Sequence, residues 1–227
     1  MDDLIVGAYG ADSQKGKSYV VFGKTDTQSI NLGALGDDSK YGIDLLGDEN
    51  VNKNDTLTGT TADEIFVAGV GSDILTGNGG MDVFNAGMGD DTIIINASNI
   101  TALEETGDGN RARVDGGGNT STGVDTLKLD GSGLVLDLTK ISNNRIQDIE
   151  KIDITGSGNN TLKLDLNDLL DASSSTNILK VVGDAGDSVI AAGFTKTGTN
   201  GSYDVYTHSD ANTDAGAALW LDGAVLV

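Results

Sequence analysis

The chain has 227 residues, enough to bury a core in one or two domains, and carries 14 Lys and Arg against 35 Asp and Glu, a net charge of -21. That sign disfavours nucleic acid and anionic membrane surfaces as partners. With no cysteine, no proline and 33 glycines, a disulfide framework and a thiolate zinc site are excluded and the turns fall to Gly, Asn and Asp. No apolar run of about twenty residues exists to cross a membrane as a helix.

The first segment, DDLIVGAYGADSQKGKSYVVFGK, reads as two strands, residues 4–8 and 18–22, joined by a polar turn. In Asp3-Leu4-Ile5-Val6-Gly7-Ala8 and Tyr19-Val20-Val21-Phe22-Gly23 it resembles the end of an FG-GAP blade, the repeat of integrin-like β-propellers. One partial blade cannot close a propeller. Residues 1–24 are therefore expected to pack on the following domain or to be the stub of a preceding one. No signal peptide precedes Asp2, and the chain reads as a piece of something larger. Residues 25–54 form a connector with an apolar patch at Ile43, Leu45 and Leu46. Its end sets Asp48, Asn50, Asn52 and Asp55 at near-alternate spacing, which suits an oxygen-rich cation loop and a solvated turn equally.

Residues 55–96 carry the repeat around which the rest is organised: a glycine pair or glycine-polar step, Gly-x-Asp, one residue, then a large apolar side chain. The copies AGVGSDILT, GNGGMDVFN and AGMGDDTII place Asp73, Asp82 and Asp91 nine residues apart, with Asp55 and Asp63 extending the series less regularly. A period of nine is too short for a helical hairpin and suits a parallel β-roll, six residues turning and three in a strand. Ile65, Leu75, Phe84 and Ile93 then point inward and stack. Two units make one circuit, so Asp73 lies over Asp91 at about 4.8 Å. Carboxylates at that separation repel by about 3 kcal/mol at an effective dielectric of about 20, so a cation is expected between them. Glycines that adopt left-handed conformations turn carbonyls toward the same point. Hard oxygen donors with no His or Cys nearby are what Ca²⁺ prefers. In these residues the chain resembles the RTX nonapeptide family, G-G-x-G-x-D-x-U-x, which binds Ca²⁺ between turns. The expected ligands here are Asp63, Gly69, Gly71, Asp73, Gly80, Asp82, Gly89 and Asp91.

After the roll, ASNITALEETGDG predicts a short helix with Ser98 at its start, Ile100 and Leu103 on one face and Gly107 past its end. It would cover an open end of the roll. VDGGGNTSTGVDTLKL then repeats the Gly-x-Asp-x-Leu ending with a longer turn, which adds Asp115 and Asp125 as calcium candidates. From Asp125 onward the chain predicts short alternating strands: DTLKLD, LVLDLTKI, IEKIDITG, NTLKLDL, NILKVVG, DSVIAAGF, YDVYTH and ALWLDGAVLV, each with one buried and one wet face. LNDLLDAS fits one or two helical turns. The class expected is all-β, a Ca²⁺-bound parallel β-roll at 55–96 running on into a β-sandwich or β-solenoid-like region at 97–227. From DTLKL to the final apolar strand this arrangement looks like the ligand-facing modules near the C-terminal end of giant RTX adhesins.

Smaller constellations carry alternatives. GDAGD offers Asp184 and Asp187 as a Ca²⁺ turn or an ordinary Gly-Asp turn. Asp210, Asn212 and Asp214 open an EF-hand-like loop, but Ala215 stands where glycine is needed and Leu221 where glutamate is, so a flexible acidic turn is the better reading. His208, the single histidine, lies in YTHSD without any G-x-S-x-G, H-E-x-x-H or phosphate loop. Arg111 and Arg113 could hold a ligand carboxylate or pair with Glu104, Glu105 or Asp108. Trp220, Tyr203 and Tyr206 could wall a groove or fill the core.

The resemblance implies an extracellular, non-enzymatic, calcium-dependent adhesion module on a bacterial cell surface, exported unfolded by a type I route. Several Ca²⁺ ions are expected, with a peptide held by its C-terminal carboxylate as ligand and no nucleic acid or membrane insertion. The module itself is expected to be a monomeric part of a longer chain. A glycan ligand, a calcium-stiffened spacer without a ligand, and a piece of an RTX protease or lipase are the alternatives.

Overall fold

A computed structural model describes residues 4–8, 17–21, 44–47, 54–107, 109–118, 123–208, 216–222 and 225. The predicted cation loop at Asp48, Asn50 and Asn52, and the loop at Asp210, Asn212 and Asp214, lie outside them. Among the described residues the chain is mostly β, with two short α-helices and parallel sheets. Among the described residues no helix is long and apolar enough to cross a membrane.

β1 (Leu4–Ala8) and β2 (Lys17–Val21) pair antiparallel as a two-stranded sheet of their own. The chain then winds between two parallel sheets. β3 (Asp44–Leu46), β5 (Ile65–Val70) and β7 (Val83–Met88) enter the first; β4 (Thr56–Thr58), β6 (Ile74–Thr76) and β8 (Thr92–Ile95) enter the second. Ile65 pairs with Val83, and Ile74 with Thr92, each eighteen residues on. This register follows from the sequence period, because alternation every second residue leaves one face for the core and a one-residue slip would expose it. Phe66 points inward in place of the predicted Ile65, which alternation puts on the opposite face, and stacks on Phe84 at 4.6 Å between ring centroids. Leu75 and Ile93 face them from the second sheet, fully buried; burying each such side chain stabilises the fold by about 2 kcal/mol.

The regular circuit ends at α1 (Ala97–Glu104). Val83 of β7 pairs with Arg113 of β9 (Arg113–Gly118), thirty residues on, because the helix is inserted before the chain returns to the first sheet. Asn96 caps α1, not the predicted Ser98: its extended backbone frees its side chain to accept from the Ser98 and Asn99 amides, and Asn99 reaches back to the Asn96 N–H as a capping box.

β10 (Thr126–Leu129), β13 (Lys151–Asp153), β15 (Ile178–Val182) and β19 (Ala218–Asp222) extend the second sheet in parallel. A third parallel sheet opens beside it from β11 (Val135–Asp137), β14 (Thr161–Leu164) and β16 (Ser188–Ala191). β12 (Ile146–Gln147) is the last strand of the first sheet. On the next circuit α2 (Leu166–Ala172) stands where a further strand would be, packed on β12 and β15, and its Ala172 carbonyl accepts the Ile149 N–H at 2.7 Å. β17 (Phe194–Asn200) and β18 (Tyr203–His208) finish the second sheet as an antiparallel hairpin on β19. One core runs through the winding, from Phe66 through Leu127, Ile152 and Leu162 to Leu219.

Sequence periodicity does not place β9, β12 or β17. β9 is half glycine, β12 is two residues long, and β17 is exposed and polar after Phe194.

Candidate metal centre at the corners

At the corner leading into the second sheet an acidic residue stands before each of the strands β4, β6, β8, β10 and β13: Asp55, Asp73, Asp91, Asp125 and Glu150. The backbone amide of each of the first four donates to the carboxylate one circuit further on. The Asp55 N–H meets Asp73 Oδ1 at 2.7 Å, the Asp73 N–H meets Asp91 Oδ1 at 2.7 Å, and the Asp91 N–H meets Asp125 Oδ1 at 2.7 Å. The Asp125 N–H closes the column on Glu150 Oε2 at 2.9 Å, and Ser175 Oγ donates to Glu150 Oε1. Asp73 and Asp91 are each 1% exposed, and the Oδ2 of both is buried without a hydrogen-bond partner. A buried acceptor in that state is costly, more so when charged. Burial, aided by the negative charge of Asp73, pushes Asp91 up to about 6, and burial also raises Asp73.

A shorter column occupies the corner leading into the first sheet. The Glu64 N–H donates to Asp82 Oδ1 at 2.9 Å, and Thr60 Oγ1 and the Thr60 N–H bind the Glu64 carboxylate. Burial and the neighbouring Glu64 push Asp82 up to about 7. On the next circuit the equivalent residue is Ala112, since Val83 pairs with Arg113. The column is ended from the side: Asn99 of α1 donates its Nδ2 to Asp82 Oδ2 at 2.8 Å and to the Gly80 carbonyl at 3.3 Å.

The same device recurs where the chain enters the third sheet. The Leu134 N–H donates to Asn160 Oδ1 at 2.8 Å and the Asn160 N–H to Asp187 Oδ1 at 2.8 Å. Here nothing is left over. Asn160 Nδ2 donates to the Ile154 carbonyl, and Asp187 Oδ2 accepts the Asp184 N–H at 2.9 Å.

The glycines make room for these columns. Gly89 has φ 143°, and a methyl there would collide with the Gly71 carbonyl of the circuit before. A methyl on Gly59 would stand 2.8 Å from both Glu64 Oε2 and the Gly77 carbonyl, and one on Gly116 2.9 Å from Asp125 Oδ2. Side-chain and backbone oxygens thus converge where only Gly fits.

Of the predicted ligands, Asp73, Asp91 and Asp125 share one column and Asp82 lies in the other. Gly69, Gly71, Gly80 and Gly89 all take positive φ at the turns beside them. Asp63 is displaced by one residue: it is exposed, its Oδ1 accepts the Met81 N–H at 2.8 Å, and its neighbour Glu64 fills the column. Asp115 lies on β9, ion-paired with Arg113. Asp184 accepts the Gly156 N–H and shares its turn with Asp187. His208 packs edge-on against Phe194 at 5.2 Å. The repeat pattern does not single out Glu64, Glu150, Asn99 or Asn160. Glu64 has a signal, standing eighteen residues before Asp82; Asn99 has none, because its role depends on where an inserted helix lands.

Among the described residues no group of three or more His, Cys, Asp or Glu side chains is gathered as a metal cage. Any ion here would be held by one or two carboxylates and completed by backbone carbonyls. No family model matches the chain, and neither a curated protein nor a solved structure does.

Proposed function

We propose that the chain is a calcium-dependent, non-enzymatic adhesion module of a secreted bacterial surface protein, as its RTX resemblance implies. The observation that carries the calcium part is the pair of buried, unpartnered oxygens, Asp73 Oδ2 and Asp91 Oδ2. Hard oxygens on consecutive circuits, beside turns where only glycine fits, suit Ca²⁺ in donor type. Asp73, Asp91 and Asp125 would hold ions at one corner, with Glu64 and Asp82 at the other. A bound Ca²⁺ supplies positive charge that cancels the repulsion within a column. The chain supplies the rest: amides fix one oxygen of each aspartate, the stacked apolar faces set the spacing, and the glycines bring the carbonyls close.

In a compartment poor in calcium the columns disfavour the folded state, and millimolar calcium outside the cell reverses this. The ligand proposed from the resemblance is a peptide whose C-terminal carboxylate completes a calcium site. A second reading, a stiff spacer without a ligand, is supported by the corner hydrogen bonds that tie circuit to circuit through both halves.

Calorimetry against peptides with free and amidated C-termini, in millimolar Ca²⁺ and in chelator, tests the proposal. Binding lost on chelation and on amidation is expected. Calcium-driven folding by circular dichroism with no peptide bound leaves the spacer.

A further inference from the structure

The outer face of the second sheet carries a patch that the calcium reading does not use. Lys151 of β13 and Lys180 of β15 are register partners, so they stand side by side at about 4.8 Å. Like charges so placed are destabilising. Among the described residues no ion pair engages either ammonium, whereas nearby Lys128 is paired with Asp153 at 3.7 Å. Lys180 pairs in turn with Trp220 of β19, its ammonium 5.8 Å from the ring centroid. Tyr203 of β18 lies beyond, its ring 6.1 Å from that of Trp220 and tilted by 46°. All four side chains are half-buried on the face opposite the fully buried Leu179, Ile152 and Leu219. An aromatic platform beside two lysines that make no ion pair among the described residues is thus built into the surface of a chain of net charge -21.

We propose that this face binds a carboxylated sugar, such as a uronic acid residue, without contact to calcium. The two lysines supply charge-assisted donors for the carboxylate. Trp220 and Tyr203 supply flat apolar surface for the C–H face of the ring, with polar edges for its hydroxyls. A peptide fits this place less well. β13, β15, β19 and β18 are interior strands of a nine-stranded sheet, so their backbone groups are already paired and no edge is open for an added strand. Two acids share this face, Asp153, paired with Lys128, and Asp222, register partner of Tyr203; acids further than about 8 Å away are largely screened at physiological salt, while the two lysines act at contact.

Trp220 is the single tryptophan, so its fluorescence reports the site directly. The full chain in excess Ca²⁺ would be titrated with a short oligoglucuronate, a neutral glucose oligomer of equal length, and a peptide with a free C-terminus. A saturable change with the oligoglucuronate alone is expected, weakened by added salt. Replacing both lysines, Lys151→Gln with Lys180→Gln, should weaken it by about tenfold or more, and Lys180→Arg should preserve it. Circular dichroism checks that each variant is folded, and Lys128→Gln, whose partner is Asp153, should bind as the parent does. No response to oligoglucuronate, an equal response to the neutral oligomer, a response to the peptide alone, or undiminished binding by the folded double variant would each overturn the proposal.

Discussion

The two halves of the winding solve one problem with different chemistry. At every corner a backbone amide points along the stack and needs an acceptor on the next circuit. In the three-sheet half Asn160 meets that need as a neutral amide whose own Nδ2 finds the Ile154 carbonyl, and Asp187 has both oxygens bound by N–H groups. In the two-sheet half the same position holds Asp73 and Asp91, each with one oxygen engaged and the other buried and idle. A corner thus needs an acceptor but no charge. Charge at Asp73 and Asp91 adds a cost that Asn160 shows to be avoidable, and the proposed cation, by using the idle oxygens, would offset it.

Chelation should separate the halves most sharply. Amide hydrogen exchange over residues 56–95 is expected to rise strongly when Ca²⁺ is removed, while residues 161–191 lose less protection. Each site held at a hundredfold excess over its dissociation constant contributes about 2.7 kcal/mol. Uniform loss across both halves would mean that the columns do not differ in the way proposed.

Backbone room at the corners comes next in size. Gly89→Ala combines a positive φ with a collision against the Gly71 carbonyl and should cost about 3 kcal/mol by chemical denaturation. Gly198→Ala, in the exposed β17 with nothing within 4 Å of the added methyl, should change stability by less than about 0.5 kcal/mol.

Much of this contrast is legible in the amino-acid sequence. The eighteen-residue circuit, the inward Leu75, Phe84 and Ile93, and the strands DTLKL and NTLKL follow from periodicity alone. Alternation tells that one face of a strand is buried but not which sheet receives it, so the third sheet leaves no signal. The run of aspartates points to Asp63 rather than Glu64, whereas register follows the buried apolar residue: Phe66, not the predicted Ile65, takes the inward place, two residues after Glu64 as Phe84 is after Asp82. Asn99 is silent in the pattern because a helix inserted between circuits brings it to Asp82 from outside the repeat.

Neutralising one column residue in each half gives smaller effects of opposite sign. In chelator, Asp91→Asn keeps the acceptor for the Asp73 amide and removes a buried charge, so stability should rise by about 1 kcal/mol while the stabilisation by added Ca²⁺ falls. Asp187→Asn has one fewer acceptor for the two amides that now share its carboxylate. It should lose about 1 kcal/mol with or without Ca²⁺. Thermal melts of both variants, with and without chelator, read the two signs directly.

The mildest test is pH in chelator. Burial raises Asp82 to about 7 and Asp91 to about 6, above the ordinary 3.8. Such a carboxyl keeps its proton in the folded chain at a pH where the unfolded chain has released it. Stability is therefore greatest near pH 4 and declines as pH rises through 6 to 7. The melting temperature without calcium should be higher at pH 5 than at pH 7.5, and Asp91→Asn should flatten part of that slope. If Ca²⁺ binds as proposed, it competes with the proton for the same oxygens, and the slope should shrink or reverse in millimolar Ca²⁺. Asp168 of α2 is also pushed up to about 6 by burial, so the part of the slope that belongs to the three-sheet half should survive both Asp91→Asn and added Ca²⁺.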